Sequence, residues 1–128
     1  IGIIGNGAGL TMATLDSVTL LGGKPATFLD LGGGASPERI ETAVTFVVKD
    51  PRVRAVFVNI LGGITRCDDT ARGIIETRKR LGSEKPVVVR MMGTNEEEGR
   101  RLLMEAGIDT LDTMEEAAER AVALAGGS

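Results

Sequence analysis

Glycine clusters are the segments of this chain whose residue types most directly indicate chemistry. Residues 5–9 read Gly-Asn-Gly-Ala-Gly, residues 32–34 are three glycines, and Gly62 and Gly63 form a third cluster. Glycine lets the backbone approach a ligand closely, so that main-chain N–H groups can bind a phosphate or a carboxylate. Tight turns also use glycine, but three clusters are more than short turns require. The pattern therefore favours an anion site made of backbone groups.

The segment 59–66, Asn-Ile-Leu-Gly-Gly-Ile-Thr-Arg, carries the most specific expectation. A helix opening at the end of this segment would present unpaired N–H groups, and the positive end of its dipole, to an anion. Thr65 could cap that helix or donate its hydroxyl to a ligand. Arg66 could add positive charge to the site, or it could pair with Asp69 or Asp68 on the surface.

Asn6, Asp30 and Cys67 are the other candidates. Asn6, between two glycines, either tolerates a left-handed turn or presents its amide, which both donates and accepts, to a substrate carboxylate. Asp30, near the end of a predicted strand, invites comparison with the acid that binds ribose in dinucleotide folds. Cys67 has no histidine to activate it, so it is expected to be a small buried residue rather than a nucleophile.

The composition limits the chemistry that this chain can perform. Its 128 residues include no histidine, which removes the commonest general base and zinc ligand. A net charge of −3 and 2% aromatic residues argue against a nucleic-acid surface. One cysteine fits a reducing compartment, and no apolar run approaches the length that spans a membrane. Any acid–base or phosphohistidine chemistry must therefore come from a partner.

The acidic run 96–98 has a structural explanation. Acids in the first turn of a helix complement its dipole, and the spacing predicts that Glu96 pairs with Arg100 and Glu97 with Arg101. We therefore expect no metal site at this run.

Apolar runs alternate with amphipathic segments five times along the chain. Strands are predicted at residues 1–4, 26–31, 54–60, 86–91 and 108–111, and helices at 10–21, 37–49, 67–81, 96–106 and 114–125. Five β-α units predict a single α/β domain over residues 1–128, with a doubly wound, five-stranded parallel sheet of flavodoxin-like order 2-1-3-4-5. In that order the loops after strands 1 and 3 meet at the topological switch point, where such folds bind ligands.

Local signals support these boundaries. Ser36 before Pro37 is typical of an N-cap followed by the first helical residue, and Thr113 three residues before Glu116 is typical of a capping box. Three further glycines follow predicted helices at positions where a left-handed residue commonly ends a helix: Gly22, Gly82 and Gly107.

Other ligand-binding classes of this fold are less consistent with the sequence. The G-x-G-x-x-G dinucleotide fingerprint meets Leu10 at its third glycine when started from Gly5, and Met12 when started from Gly7. A flavin carrier would want aromatic side chains, and tryptophan and tyrosine are absent. A phospho-acceptor domain would want an aspartate where Asn59 stands. A pure interaction module stays open, although it leaves the glycine clusters without a role.

Four segments together resemble the β subunit of the succinate–CoA ligase family, over essentially the whole chain. They are Asn-Gly-Ala-Gly-Leu at 6–10, Phe-Leu-Asp-Leu-Gly-Gly-Gly-Ala at 28–35, Asn-Ile-Leu-Gly-Gly-Ile-Thr-Arg-Cys-Asp at 59–68, and Val-Val-Val-Arg-Met-Met-Gly-Thr-Asn at 87–95. The resemblance implies the C-terminal, flavodoxin-like CoA-ligase domain of that subunit. The chain begins without Met, directly in a strand-like run, and we interpret it as a fragment that lacks the N-terminal ATP-grasp domain.

The resemblance also implies a function. In the family, ATP or GTP, held with Mg²⁺ by the ATP-grasp domain, phosphorylates a histidine of the α subunit through succinyl phosphate chemistry, and CoA is bound by the α subunit. The implied substrate-binding residues here are Asn6, Gly63, Ile64 and Thr65. No catalytic, metal-binding or cofactor-binding residue is expected in this chain, which alone should be inactive. The implied location is the cytoplasm, or the mitochondrial matrix in a eukaryote.

Two positions depart from the family pattern. Thr65 replaces the usual valine and adds a hydroxyl, which could tune the acid that is accepted. Met92 stands where the family often has Glu or Gln. Malate–CoA ligase and the ligase part of ATP-citrate lyase share much of the pattern, so another dicarboxylate stays open. The alternative from a different class is a non-catalytic module that binds an anion or a partner protein.

Overall fold

A computed structural model of the chain describes residues 1–32, 36–62 and 66–126. Within these ranges five strands alternate with five helices. The strands are β1 (Gly2–Gly5), β2 (Thr27–Asp30), β3 (Val56–Gly62), β4 (Val87–Gly93) and β5 (Asp109–Thr110), and the helices are α1 (Ala8–Leu20), α2 (Pro37–Lys49), α3 (Cys67–Leu81), α4 (Glu96–Glu105) and α5 (Met114–Leu124). All described strand pairs are parallel, in the order β2-β1-β3-β4-β5. The predicted fold class and strand order are confirmed.

The two faces of the sheet are covered by different helices. Val56, Val58 and Ile60 of β3 lie in the core under α2, α3 and α4, whereas Phe57 lies in the core under α1 and α5. All four side chains are at most 1% exposed. A strand covered on both faces needs apolar residues at successive positions, which explains why this run does not alternate with polar residues. None of the described helices combines the length and apolar character needed to cross a membrane.

The predicted capping residues act at the helix ends. The Ser36 hydroxyl accepts a hydrogen bond from the N–H of Arg39 at 3.3 Å, and Pro37 occupies the first turn of α2. The Thr113 hydroxyl accepts the Glu116 N–H at 3.1 Å and starts α5. The glycines after α1, α3 and α4 have positive φ, as predicted: Gly22, Gly82 and Gly107. These local signals explain why α2 begins and α3 ends at the predicted residue.

The carboxyl edge of the sheet differs from the prediction. β3 and β4 each continue two residues further than expected and end as a pair, Gly62 opposite Gly93. A Cβ atom on Gly93 would lie 1.8 Å from the Gly62 carbonyl oxygen, and the φ of Gly93 is +120°. This close approach requires glycine, so Gly93 allows both strands to extend to the edge. α1 begins at Ala8, two residues before the predicted start, and β5 is shorter than predicted.

Candidate functional site

The side chain of Asn6 bridges the ends of β1 and β3. Its Nδ2 donates to the Leu61 carbonyl oxygen at 2.8 Å, and its Oδ1 accepts the Leu61 N–H at 2.8 Å. The backbone pairing of these strands reaches Gly5 opposite Asn59. The Asn6 carboxamide therefore continues the ladder beyond the last backbone pair, as a peptide group would. This bridge fixes the end of β3 immediately before the predicted anion-binding segment.

Asp30 joins the loops that follow β1 and β2. Its Oδ1 accepts the Gly7 N–H at 2.7 Å and the Gly32 N–H at 2.8 Å. The hydrogen bonds from Gly32 and Gly7 lower the pKa of the Asp30 carboxyl group, so it stays ionised at neutral pH. The sequence suggested a ribose-binding acid at Asp30 and did not predict these two hydrogen bonds to backbone N–H groups. In this structure the carboxylate orders the two loops beside the switch point.

Three of the four predicted substrate-binding residues, Gly63, Ile64 and Thr65, lie outside the described residues, so their role stays a prediction. The structure does describe the start of the helix that follows them. α3 begins at Cys67, whose N–H donates to the Thr94 carbonyl oxygen at 2.9 Å. This N–H, which the sequence analysis expected to be unpaired, is thus bonded to the turn after β4.

Arg66 and Asp68 form a cluster at the first turn of α3. Arg66 Nε and Nη2 each lie 3.3 Å from Asp68, which also accepts from Arg72 at 3.2 Å and from Asn95 at 3.3 Å. Hydrogen bonds led by that of Arg66 hold the pKa of the Asp68 carboxyl group well below its usual range. Of the two aspartates predicted as partners of Arg66, Asp68 is the one that pairs with it. The cluster fixes the guanidinium of Arg66 beside the predicted anion site.

Cys67 is fully buried, which confirms the expectation of a small core residue. Burial raises the pKa of the Cys67 thiol, and the negative charges of Glu96 and Asp68 raise it further. Because the thiolate is the reactive form, this environment does not favour a nucleophile at neutral pH.

The acidic run 96–98 pairs with arginines along α4. Glu96 and Arg100 form the predicted pair, at 2.9 Å, but Arg101 pairs with Glu98 rather than with Glu97. The i,i+3 partner lies as close on a helix surface as the i,i+4 partner does, and spacing alone does not distinguish them. In the described ranges, no group of three or more potential ligands could hold a metal ion.

Comparison with known proteins identifies the family of this chain. Residues 4–124 match the CoA-ligase family model. The chain belongs to the CoA-ligase family. A protein of Desulfurococcus amylolyticus named as the beta subunit of ADP-forming succinate–CoA ligase is 59% identical over 99% of this chain and 34% of its own length. The predicted family resemblance is confirmed, and the chain spans about a third of the length of the curated relatives that it matches.

Solved structures share the fold of this CoA-ligase domain. A crystal structure from Pyrococcus horikoshii OT3 superimposes with a TM-score of 0.87, at 24% identity, over 98% of this chain and 34% of that one. The dinucleotide-forming acetyl-coenzyme A synthetase 1 of Ca. Korarchaeum cryptofilum, in complex with phosphate and ADP, gives a TM-score of 0.84 at 23% identity, over 95% of this chain and 31% of that one. At these identities the likeness establishes the fold.

The CoA-ligase domain contains a second polar cluster, which sequence reasoning missed. Arg90 Nη1 donates to Asn59 Oδ1 at 3.2 Å, and Asn59 Nδ2 donates to the Thr14 hydroxyl at 2.9 Å. That hydroxyl donates in turn to the Leu10 carbonyl oxygen at 2.7 Å. Arg90 Nη2 also contacts the sulfur of Met92. A signal was available, because Asn59 interrupts an apolar run and Arg90 follows three valines.

Proposed function

We propose that this chain is the CoA-ligase domain of the β subunit of an ADP-forming succinate–CoA ligase. Its loops at the switch point would bind a carboxylate and a phosphoryl group, opposite an α subunit that carries the phosphorylated histidine and binds CoA. The names of the relatives support this proposal, since the matches extend over 98–99% of the chain at 54–59% identity. The chain has no histidine, so that residue must lie elsewhere.

The observation that carries the proposal is the Asn6 bridge. A carboxamide has two N–H groups and two lone pairs on its oxygen. Leu61 takes one hydrogen bond of each kind, which leaves one donor and one acceptor position for a ligand. We assign Asn6 two tasks: holding the end of β3 and donating to a substrate carboxylate.

The backbone of Gly63, Ile64 and Thr65 forms the rest of the proposed site. It lies between two positions that are fixed from outside the segment, Leu61 by Asn6 and Cys67 by its hydrogen bond to the turn after β4. Backbone N–H donors would suit phosphoryl transfer, which needs positioning and stabilisation of the charge on the phosphoryl oxygens. The dipole of α3 adds about 0.3–1 kcal/mol in favour of an anion.

The remaining components belong to other parts of the proposed enzyme. We assign ATP and Mg²⁺ to an ATP-grasp domain outside this chain, and CoA to the α subunit. In that arrangement this domain forms no covalent intermediate, and its contribution is to bind and orient. We expect the complex in the cytoplasm, or in the mitochondrial matrix of a eukaryote.

The proposal is tested with the full-length β subunit, produced together with its α subunit. ADP formation from ATP is measured in the presence of CoA, with succinate, malate or citrate as the acid. We expect the highest kcat/KM with succinate. Preference for malate or citrate would replace the proposed acid, and ADP formation that depends on neither acid nor CoA would refute a ligase. GTP in place of ATP tests the nucleotide preference.

A further inference from the structure

A series of hydrogen bonds, buried at its centre, crosses the face of the sheet that α1 and α5 cover. It runs from the Arg90 guanidinium on β4 through the Asn59 carboxamide on β3 to the Thr14 hydroxyl on α1. It ends at the carbonyl oxygen of Leu10, in the first turns of α1. Side chains thereby join β4 to β3 and α1, the two elements that adjoin the loops of the proposed site.

The side chains around these hydrogen bonds are apolar. Asn59 and Thr14 are both 0% exposed, and the core on this face consists of Phe57, Val88 and the aliphatic side chains of α1 and α5. A buried polar group is costly unless its hydrogen bonds are made. The Asn59 carboxamide oxygen accepts a hydrogen bond from Arg90 on β4, and its nitrogen donates one to Thr14 on α1. The amide can therefore make both hydrogen bonds in one orientation only.

Asn59 also occupies a central place in the register of the sheet. Gly5 lies beside it on one strand and Arg90 on the other. Asn6 follows Gly5 directly and binds Leu61, two residues after Asn59. The position of α1 relative to β3 therefore depends on the same short stretch that carries the Asn6 bridge.

We infer that Asn59, acting through Thr14, is a positioning residue that sets the place of α1, and with it the loop carrying Asn6, against the end of β3. The inference rests on the proposed function as far as activity is concerned. It assigns no contact between Asn59 and the substrate. Loss of the Thr14 hydroxyl should therefore weaken binding of the carboxylic acid, although Thr14 does not contact the acid.

The test uses Thr14→Val in the full-length β subunit with its α subunit. The matched control is Thr77→Val, because Thr77 is also 0% exposed on a helix but its hydroxyl has no hydrogen-bond partner among the described residues. We expect the KM for succinate to rise about tenfold in Thr14→Val, within the roughly hundredfold that a displacement of about 1 Å can cost. The KM for ATP should not change, and Thr77→Val should match the wild type in both.

A merely structural role predicts a different result. Loss of folded enzyme lowers the rate per total protein but leaves each KM unchanged. Thr14→Ser, which keeps the hydroxyl, should restore the wild-type KM for succinate. If Thr14→Val yields too little folded subunit, Arg90→Met is tested instead. It removes the hydrogen bond to Asn59 at a partly exposed position, and the same rise in KM is expected.

Hydrogen exchange gives a readout that does not require activity. Amides of residues 5–14 should exchange faster in Thr14→Val than in Thr77→Val. Equal succinate KM values and equal exchange in the two variants would overturn the inference. An inactive wild-type complex would refute the proposed function alone, since the exchange comparison would still decide whether Thr14 orders this loop.

Discussion

The helices of this fold all follow strands and begin at the same edge of the sheet, yet in the described residues they begin in two ways. Ser36 and Thr113 cap α2 and α5 with their hydroxyl groups. The N-cap residues of α1 and α3, Gly7 and Arg66, make no side-chain capping hydrogen bond. α4, which follows β4, has no side-chain cap either, and its N-cap residue Asn95 instead donates to Asp68 of α3. Of these three helices, α1 and α3 follow the strands on either side of the switch point.

The difference separates local from tertiary control of a helix start. α2 and α5 are each capped by the residue that immediately precedes them. At the start of α1, the Gly7 N–H is bonded to Asp30, 23 residues away, and at the start of α3 the Cys67 N–H is bonded to the Thr94 carbonyl oxygen. Neighbouring loops thus order the helix starts beside the proposed ligand site. Changes there should affect substrate binding, whereas changes at the local caps should affect stability alone.

The largest expected effect is that of Gly93→Ala, which breaks the edge where β3 and β4 end together. The new Cβ would lie 1.8 Å from the Gly62 carbonyl oxygen, at a φ of +120°. Backbone strain alone costs about 1–3 kcal/mol, and the clash adds to it. We expect a large drop in the midpoint of thermal unfolding and loss of activity in the full complex, because the displaced Gly62 precedes the proposed anion-binding segment.

Gly82→Ala, at the C-terminal end of α3, is the matched control for Gly93→Ala. Gly82 also has positive φ, at +60°, but in the part of the chain that the structure describes no atom lies within 4 Å of the position of a new Cβ. The cost should be limited to the left-handed conformation, about 1–2 kcal/mol. Similar destabilisation by both substitutions would contradict the importance of the close approach of β3 and β4.

Asn6→Ala sharpens the comparison at the start of α1. It removes the partner of the N–H and of the carbonyl oxygen of Leu61 at an exposed position, where a hydrogen bond contributes about 0.5–1.5 kcal/mol. We expect the KM for succinate to rise about tenfold or more, which corresponds to about 1.4 kcal/mol of lost binding, as measured in the full complex.

Asn6→Asp separates the two tasks assigned to Asn6. Its carboxylate can still accept the Leu61 N–H but cannot donate to the Leu61 carbonyl oxygen, and it places a negative charge beside the acid. The KM for succinate should therefore rise more than in Asn6→Ala. Equal KM values in the two variants would contradict direct contact between Asn6 and the substrate.

The elements predicted correctly are those with local signals. Ser36 with Pro37 marks the start of α2, and the left-handed Gly82 marks the end of α3. Both signals lie next to the helix end that they mark. The predicted ends of β3 and β4 were wrong because Gly62 with Gly63, and Gly93, look like the start of a turn in the sequence. Their extension depends on the contact between Gly62 and Gly93, which lie on different strands.

The strand order predicted that the loops after β1 and β3 meet, but the contacts between them were not predictable. Asn6 is conspicuous between two glycines, but its partner Leu61 is 55 residues away. Asn59 and Thr14 are 45 residues apart, and neither has a spacing that indicates the other. Strand order brings the loops together, whereas the hydrogen bonds depend on distances that only the folded chain defines.

Asp68 gives the start of α3 a pH dependence. Its pKa is lower in the folded chain than the ordinary value of about 3.9. The stabilisation is therefore fully present above about pH 4 and is lost as pH falls below that value, when the carboxylate takes up a proton. Asp68→Asn should unfold at a lower temperature than the wild type at pH 6, and the difference should shrink towards pH 2. A difference independent of pH would contradict a role for the Asp68 charge.

Thr113→Ala, at a locally capped helix, should have the smallest effect. The substitution removes the hydroxyl that accepts the Glu116 N–H, and loss of such a cap costs about 1 kcal/mol. Thermal unfolding should shift by a few degrees, which calorimetry resolves. The KM for succinate should stay at the wild-type value, because the hydrogen bonds of the Thr113 hydroxyl are made to Glu116, within the first turn of α5. A raised KM would mean that the start of α5 also orders the ligand loops, and the distinction between locally capped helices and those held by neighbouring loops would then fail.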